Sequence, residues 1–382
     1  MLFSEVFRAK KALLLTVFLI AMITVTFWGG SRYPSLENKS TMGSDTRLED
    51  PLSFEVLLDL QEDFSAPKRI VYSTINWVNT NQKGMTFGVL IGAAFLTLFG
   101  QLRKKSVSST FGNTVIGVLM GAPLGVCVNC AAPVAKGMHD AGSRLETTLT
   151  TMFSSPMLNI VVLTMTFSMF PLYMASLKVG ATLVFLFVVV PILCRYVFRD
   201  EVQATIEGEM CKLVPTQSLQ LEEQSWLSAI RWLVTTYLKN LWYIVKITVP
   251  LMLLAGFLGS GVATIFPLEN FAGSEFSLWG LVIIAMLGVF LPVPIAFDVV
   301  VVSTLLAIGI PSAYVMALLF TLGAYSIYPM IIVWRSISPK VAITTYLVVA
   351  AIGICVALIA NYYHEAQLEE AMRIFETELL LH

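Results

Sequence analysis

Charge is what this sequence has least of. Asp, Glu, Lys and Arg make up 13% of its 382 residues, about half the share of an ordinary soluble domain. The 24 basic and 25 acidic residues nearly cancel, so no basic surface for nucleic acid is available. The three histidines, His139, His364 and His382, are too dispersed for a metal-ligand spacing. Five cysteines scattered over apolar text make no disulfide framework. No G-x-x-x-x-G-K-[ST] loop is present to cradle a nucleotide. Neither a cofactor nor a nucleic-acid partner is expected.

What remains is long apolar text. Lys10 and Lys11 precede a run from residue 12 to 28, long enough to cross a bilayer at about 1.5 Å per residue. No A-x-A site follows it, so an uncleaved first helix is expected. Residues 30–84 form the one long polar stretch, acidic at first and then amphipathic, with a helix boundary at Pro67. Apolar segments follow at 85–100, 111–135, 156–170, 173–197, 241–266, 278–292, 295–310, 313–334 and 341–361. The fold expected is all-α, a polytopic integral membrane protein of roughly nine to eleven membrane segments.

Basic residues cluster at Arg8/Lys10/Lys11, Arg103/Lys104/Lys105, Arg195/Arg199/Lys212/Arg231 and Arg335/Lys340. Placing all four clusters in the cytoplasm of a cell (inner or plasma) membrane makes the N-terminus cytoplasmic and the acidic loop extracytoplasmic. Between Lys105 and Arg195 the chain must then cross an even number of times, and 110–126, 130–151, 156–171 and 173–198 supply four candidates. The expected organisation is an N-terminal membrane helix (1–29), an extracytoplasmic loop (30–84), a first repeat (85–199), a cytoplasmic linker (200–235), a second repeat (236–362) and an acidic tail (363–382).

The most informative stretch is GAPLGVCVNCAAPVAKGMHDAGSRLETTLTTMFSSPMLN, residues 121–159. It carries three prolines, four glycines and two cysteines between apolar segments. Backbone freed by Pro and Gly at membrane depth must be buried in protein or line a polar cavity, and such broken helices point to a transporter's binding site. Adding 167 to each number maps Cys127 onto Pro294, Cys130 onto Phe297, Gly142 onto Gly309 and Pro156 onto Gly323. Each half then reads as helix, break, short helix, turn and second break, and the charge-derived parity makes the two halves inverted repeats.

Cys127 and Cys130 form a C-x-x-C. Thiolates suit soft ligands such as Cu(I), Zn or a trivalent metalloid; a dithiol also suits redox exchange, and a buried Cys can simply pack. No resident metal is expected. Asn129 and Asn159, beside the breaks, can bind substrate or satisfy freed backbone groups. Asp298 is the lone charged residue between Leu278 and Trp334. It reads as a coupling carboxylate or as the cap of a helix starting near Val299. Lys136, His139, Asp140, Arg144 and Glu146 read as a solvated turn, and Lys178 as a residue snorkelling from a helix end.

The run Cys127–Val128–Asn129–Cys130–Ala131–Ala132–Pro133, the turn Ala141–Gly142–Ser143–Arg144 and the break Ser155–Pro156–Met157–Leu158–Asn159 resemble the ArsP/YraQ-type predicted permeases, which include organoarsenical efflux proteins. The resemblance covers roughly residues 85–360, with a second copy at 292–328. It departs in one place: the family's second Cys position holds Asn129, and Cys130 follows one residue later. The resemblance implies a permease rather than an enzyme, moving a small solute by alternating access. Read with the residue chemistry above, a secondary transporter working in efflux is expected, with substrate contacts at Cys127, Asn129, Cys130, Pro133, Pro156 and Asn159, soft-metalloid contact at the two thiols and coupling at Asp298. Expected partners are the lipid bilayer and a small-molecule substrate, with homo-oligomerisation left open. A membrane thiol-disulfide oxidoreductase and a structural membrane subunit are the alternatives.

Overall fold

A computed structural model describes residues 11–34, 52–53, 56–61, 63–99, 101, 109–207, 225–266 and 276–381. The protein is an all-α polytopic membrane protein. Helix α1 (Lys11–Phe27) is followed by α2 (Ala66–Phe99), α3 (Thr110–Gly121), α4 (Val128–Asp140), α5 (Leu145–Met157) and α6 (Ile160–Met169). The seventh, α7, runs Leu172–Val197 as one span, with π-helical turns at Phe185–Val189 and Leu193–Val197. Those turns flank Pro191, which has no N–H to donate. Next come α8 (Arg199–Glu207), α9 (Trp226–Ile265), α10 (Leu278–Phe290), α11 (Phe297–Ala307), α12 (Ser312–Thr321), α13 (Ile327–Ser336) and α14 (Pro339–Leu381).

The expected amphipathic stretch and the apolar segment at 85–100 are one element: α2 starts with Pro67 in its first turn and continues unbroken through Lys83 and Gly84. Pro67 is tolerated there because the first-turn N–H groups have no helical partner. Asn76 on this helix holds the preceding loop, accepting from Leu57 N and Leu58 N and donating to Leu58 O, each at 2.9 Å. Residues 35–51 of the acidic stretch and 208–224 of the linker lie outside the described residues.

Among the described residues four helices are long and apolar enough to cross a membrane, namely Lys11–Ser31, Leu172–Val197, Trp226–Ile265 and Pro339–Gln367. The pair α5 and α6, bent by 42° at its break, is long and apolar enough to do so when taken together. By contrast α3, α4, α10 and α11 have 11 to 13 residues each, about 20 Å or less at helical rise, and fall short of a hydrocarbon core of about 30 Å.

The element order repeats. Helices α3, α4, α5, α6 and α7 start at 110, 128, 145, 160 and 172; α10, α11, α12, α13 and α14 start at 278, 297, 312, 327 and 339. The repeat extends to single hydrogen bonds. Gly142 N donates to His139 O and Ser143 N to Met138 O; Gly309 N donates to Leu306 O and Ile310 N to Leu305 O. Both glycines have positive φ, 80° and 86°. This is a helix stop of the Schellman type, which needs a residue free to be left-handed. The segment 130–151, counted as a crossing from sequence, therefore reverses at Ala141–Arg144.

Contacts set the relative directions. Thr147 Oγ1 donates to Asn113 O and Thr151 Oγ1 to Gly117 O, so α3 and α5 run parallel. Helices α4 and α5 pack as the two arms of a tight turn, which makes α3 and α4 antiparallel. Residues 122–127 are thus the tip of a short helical hairpin. In the second half a Cβ on Gly280 would meet Tyr314 and one on Gly288 would meet Thr321; α10 and α12 are parallel, and 291–296 is the corresponding tip. The equivalent long helices α2 and α9 pack in opposite directions: Trp77 lies against Gly256, while Thr97 accepts from Asn240 Nδ2 at 2.9 Å.

Candidate functional site

The two hairpin tips meet. Asn129, in the first turn of α4, donates from Nδ2 to the carbonyl of Val293 in the second tip at 3.1 Å, and its Oδ1 accepts from Ser326 Oγ at 2.6 Å. Ser326 caps α13 at the other break of the second half. One amide, wholly buried, therefore satisfies freed backbone and side-chain groups of both breaks in the opposite repeat. Asn129 thus satisfies groups freed at the breaks.

The thiols sit beside that amide. Cys127 is the N-cap of α4, its Sγ accepting from Cys130 N at 3.3 Å. The two cysteines are not joined by a disulfide, their sulfurs are 2.7 Å apart, and both are buried. Tyr328 from α13 is buried and its hydroxyl pairs with Thr248 of α9. Pro133, one helical turn beyond Cys130, is buried within α4.

Gly84, Gly88 and Gly92 on α2 make this packing close. A Cβ on Gly84 would meet Cys130 Sγ at 2.7 Å, one on Gly88 would run into the carbonyl of Cys130, and one on Gly92 would meet the carbonyl of Pro133 at 2.6 Å. The G-x-x-x-G-x-x-x-G spacing was visible in the sequence and went unread; it is the motif that lets two helix backbones touch.

The second break of the first half closes the site. Ser155 Oγ donates to Val126 O at 3.2 Å and accepts from Val126 N at 3.1 Å, tying α5 to the first tip. Pro156 is buried at that bend. Asn159 caps α6, its Oδ1 accepting from Val161 N at 2.9 Å, and its Nδ2 is buried without a partner. Cys127, Asn129, Cys130, Pro133, Pro156 and Asn159 are thus gathered on one hairpin and the break fastened to it.

Asp298 lies in the first turn of α11, whose N-cap is Ala296 at φ 64° with no side-chain cap bond. The capping reading is corrected: the helix begins before Asp298, and its carboxylate Oδ2 instead accepts from Lys178 Nζ on α7 at 3.1 Å. Lys178 does not snorkel either. Its side chain is 4% exposed, as is that of Asp298. A lone lysine in an apolar span was the readable signal, since its charge at that depth demands a partner. The turn at 141–144 is not simply solvated: Lys136, His139 and Glu146 are buried, and Lys136 Nζ binds Asp140 Oδ2 at 2.7 Å and Tyr243 OH at 3.2 Å.

Two tryptophans cover the tips from outside the repeats. A Cβ on Gly125 would meet Trp28, at the end of α1, at 2.5 Å. Trp77 Nε1 donates to the carbonyl of Pro292.

Comparison with known families decides the class. Residues 82–362 match a family described as "Predicted permease", ArsP_1. The chain belongs to this permease family. It is also similar to UPF0718 protein YraQ of Escherichia coli (strain K12), 26% identical over 282 residues that cover 73% of this chain and 77% of that protein. No solved structure matches it. The family and the apolar helices make this permease a multi-pass membrane transporter, and point away from an enzyme. The matched range takes in α3 to α7, α9 to α13 and the glycine-bearing half of α2; Trp28 and Trp77 lie before it.

Proposed function

We propose that this permease is a secondary transporter that moves a small solute, a metalloid or thiol-reactive organic compound, out of the cell by alternating access. The observation that carries the reading is the Asn129 junction, where the tips of two short hairpins are fastened to each other. The two halves are inverted repeats, each with a long helix, a re-entrant hairpin, a broken span and a long span. Three crossings per repeat turn the second copy upside down, in keeping with the opposite directions of α2 and α9. With the N-terminus in the cytoplasm of the inner or plasma membrane, the first hairpin enters from the cytoplasm and the second from outside. The even number of crossings demanded by the basic clusters is then met by two spans, α5/α6 and α7. Rocking the hairpins against the long helices would expose the crossing point to one side at a time.

The thiols give this proposal its test. Cells carrying the permease should extrude a trivalent arsenical probe, and Cys127→Ser with Cys130→Ser should cut that flux about tenfold or more while leaving the amount of folded protein unchanged. Oxygen fills nearly the same volume as sulfur and lacks its affinity for soft centres. Full flux in the double Ser variant would remove the thiols from the substrate path. The oxidoreductase reading instead requires Cys127 and Cys130 to cycle between thiol and disulfide during turnover, which thiol trapping would report.

A further inference from the structure

We infer that Lys178 is an anion-binding residue, with Asp298 standing in for the anion while the site is empty, so that solute crosses as a monoanion together with one proton. The inference rests on the permease reading above and names the charge of its substrate.

The pair joins the two repeats: Lys178 belongs to α7 of the first and Asp298 to the hairpin of the second. An ammonium has three N–H donors, and among the described residues Lys178 Nζ has one partner, Asp298 Oδ2 at 3.1 Å. The carboxylate leans on Gly323 in the break between α12 and α13, where a Cβ would meet Oδ2 at 2.7 Å. Tyr325, two residues further along that break, is fully buried and its hydroxyl has no partner. Asn159 Nδ2, also buried and unpartnered, opens α6, which packs against α11. Among the described residues two N–H donors of Lys178 are left over beside the carboxylate, and Tyr325 and Asn159 lie on segments that adjoin α11. Such a surplus suits an acceptor-rich, negatively charged ligand.

The neighbours leave few other charges to take part. Helices α6, α11, α12 and the break 322–326 carry no Asp, Glu, Lys, Arg or His besides Asp298. Their ionisable hydroxyls are Tyr314, bonded to Ser277, and Tyr325. Helix α14, packed on α7, brings Tyr363 against Tyr173 at the far end from the pair's break.

The charge balance follows. Empty, Lys178 and Asp298 sum to zero. A monoanion that takes the ammonium leaves Asp298 as an unpaired carboxylate inside the membrane, which is costly until it binds one proton. The loaded site is again neutral and can move through the bilayer core. Net flux follows the combined anion and proton gradients, so efflux proceeds when the solute has accumulated inside.

The test uses purified full-length protein, with methanesulfonate as the anion, dimethyl sulfone as its neutral counterpart and tetramethylammonium as the cation. Methanesulfonate should raise the melting temperature and, added outside proteoliposomes, acidify their interior; the other two should do neither. Asp298→Asn removes the internal competitor. It should bind methanesulfonate at about tenfold lower concentration, one charge-assisted hydrogen bond less to displace, and move no protons with it. Lys178→Met with Asp298→Asn should stay folded, since a buried pair can often be replaced as a unit, and lose the methanesulfonate response. A double variant that responds like the parent, or a parent stabilised equally by dimethyl sulfone or by tetramethylammonium, overturns the inference. If the arsenical flux persists while methanesulfonate does nothing, only this inference fails. If no solute moves in any variant, the permease reading fails with it.

Discussion

Asn129→Leu is expected to abolish transport and to lower stability by about 2–6 kcal/mol, the combined cost of leaving two buried polar partners unpaired at about 1–3 kcal/mol each. The leucine has the right bulk for the space and lacks both the donor for Val293 O and the acceptor for Ser326 Oγ. Its damage should therefore reach the opposite hairpin rather than stay in α4. Asn129→Asp separates the two bonds, since a carboxylate keeps the Ser326 contact and cannot donate to the Val293 carbonyl. Thermal melting and substrate counterflow in proteoliposomes measure the pair. Parental counterflow in Asn129→Leu would mean that the tips need no link to work.

Gly88→Ala should be nearly as damaging, because the added methyl runs into the backbone carbonyl of Cys130, which no rotamer change can move aside. The cost expected for such overpacking is about 1–3 kcal/mol, paid by a shift of α4 away from α2. That shift carries Cys127 and Cys130 with it, so arsenical flux should fall even in the fraction of molecules that remains folded. Gly180→Ala on α7 is the control, for nothing lies within 4 Å of its Cβ position. It should melt and transport like the parent. Equal effects of the two substitutions would show that general helix propensity, rather than the contact with α4, explains the loss at Gly88.

Much of this was legible because membrane-depth backbone has few options. Pro and Gly between apolar runs can only mark breaks that protein covers, and the breaks at 122–127 and 291–296 lie two residues from where the offset of 167 placed them. Gly142 and Gly309 aligned because both serve the same left-handed helix stop. What could not be read was pairing across long separations. Asn129 could equally have faced substrate or backbone, and only the fold brings Val293 and Ser326, both far along the chain, to its amide. Lys178 and Asp298 are 120 residues apart; each was conspicuous alone, and nothing in local pattern matched them. Hydropathy also missed the hairpins. It counts apolar residues, and α3, α10 and α11 are apolar but too short to cross.

The central claim is that the two hairpins enter the membrane from opposite sides. Single reporter cysteines at Ser143, in the turn that follows the first hairpin, and at Ile308, in the turn that follows the second, test it in a background carrying Cys211→Ser and Cys355→Ser. Ile308 is exposed and Ser143 partly so. An impermeant thiol reagent applied to intact cells should label Ile308→Cys and spare Ser143→Cys, and the pattern should reverse in inside-out vesicles. Labelling of both positions from the same side would contradict the inverted arrangement.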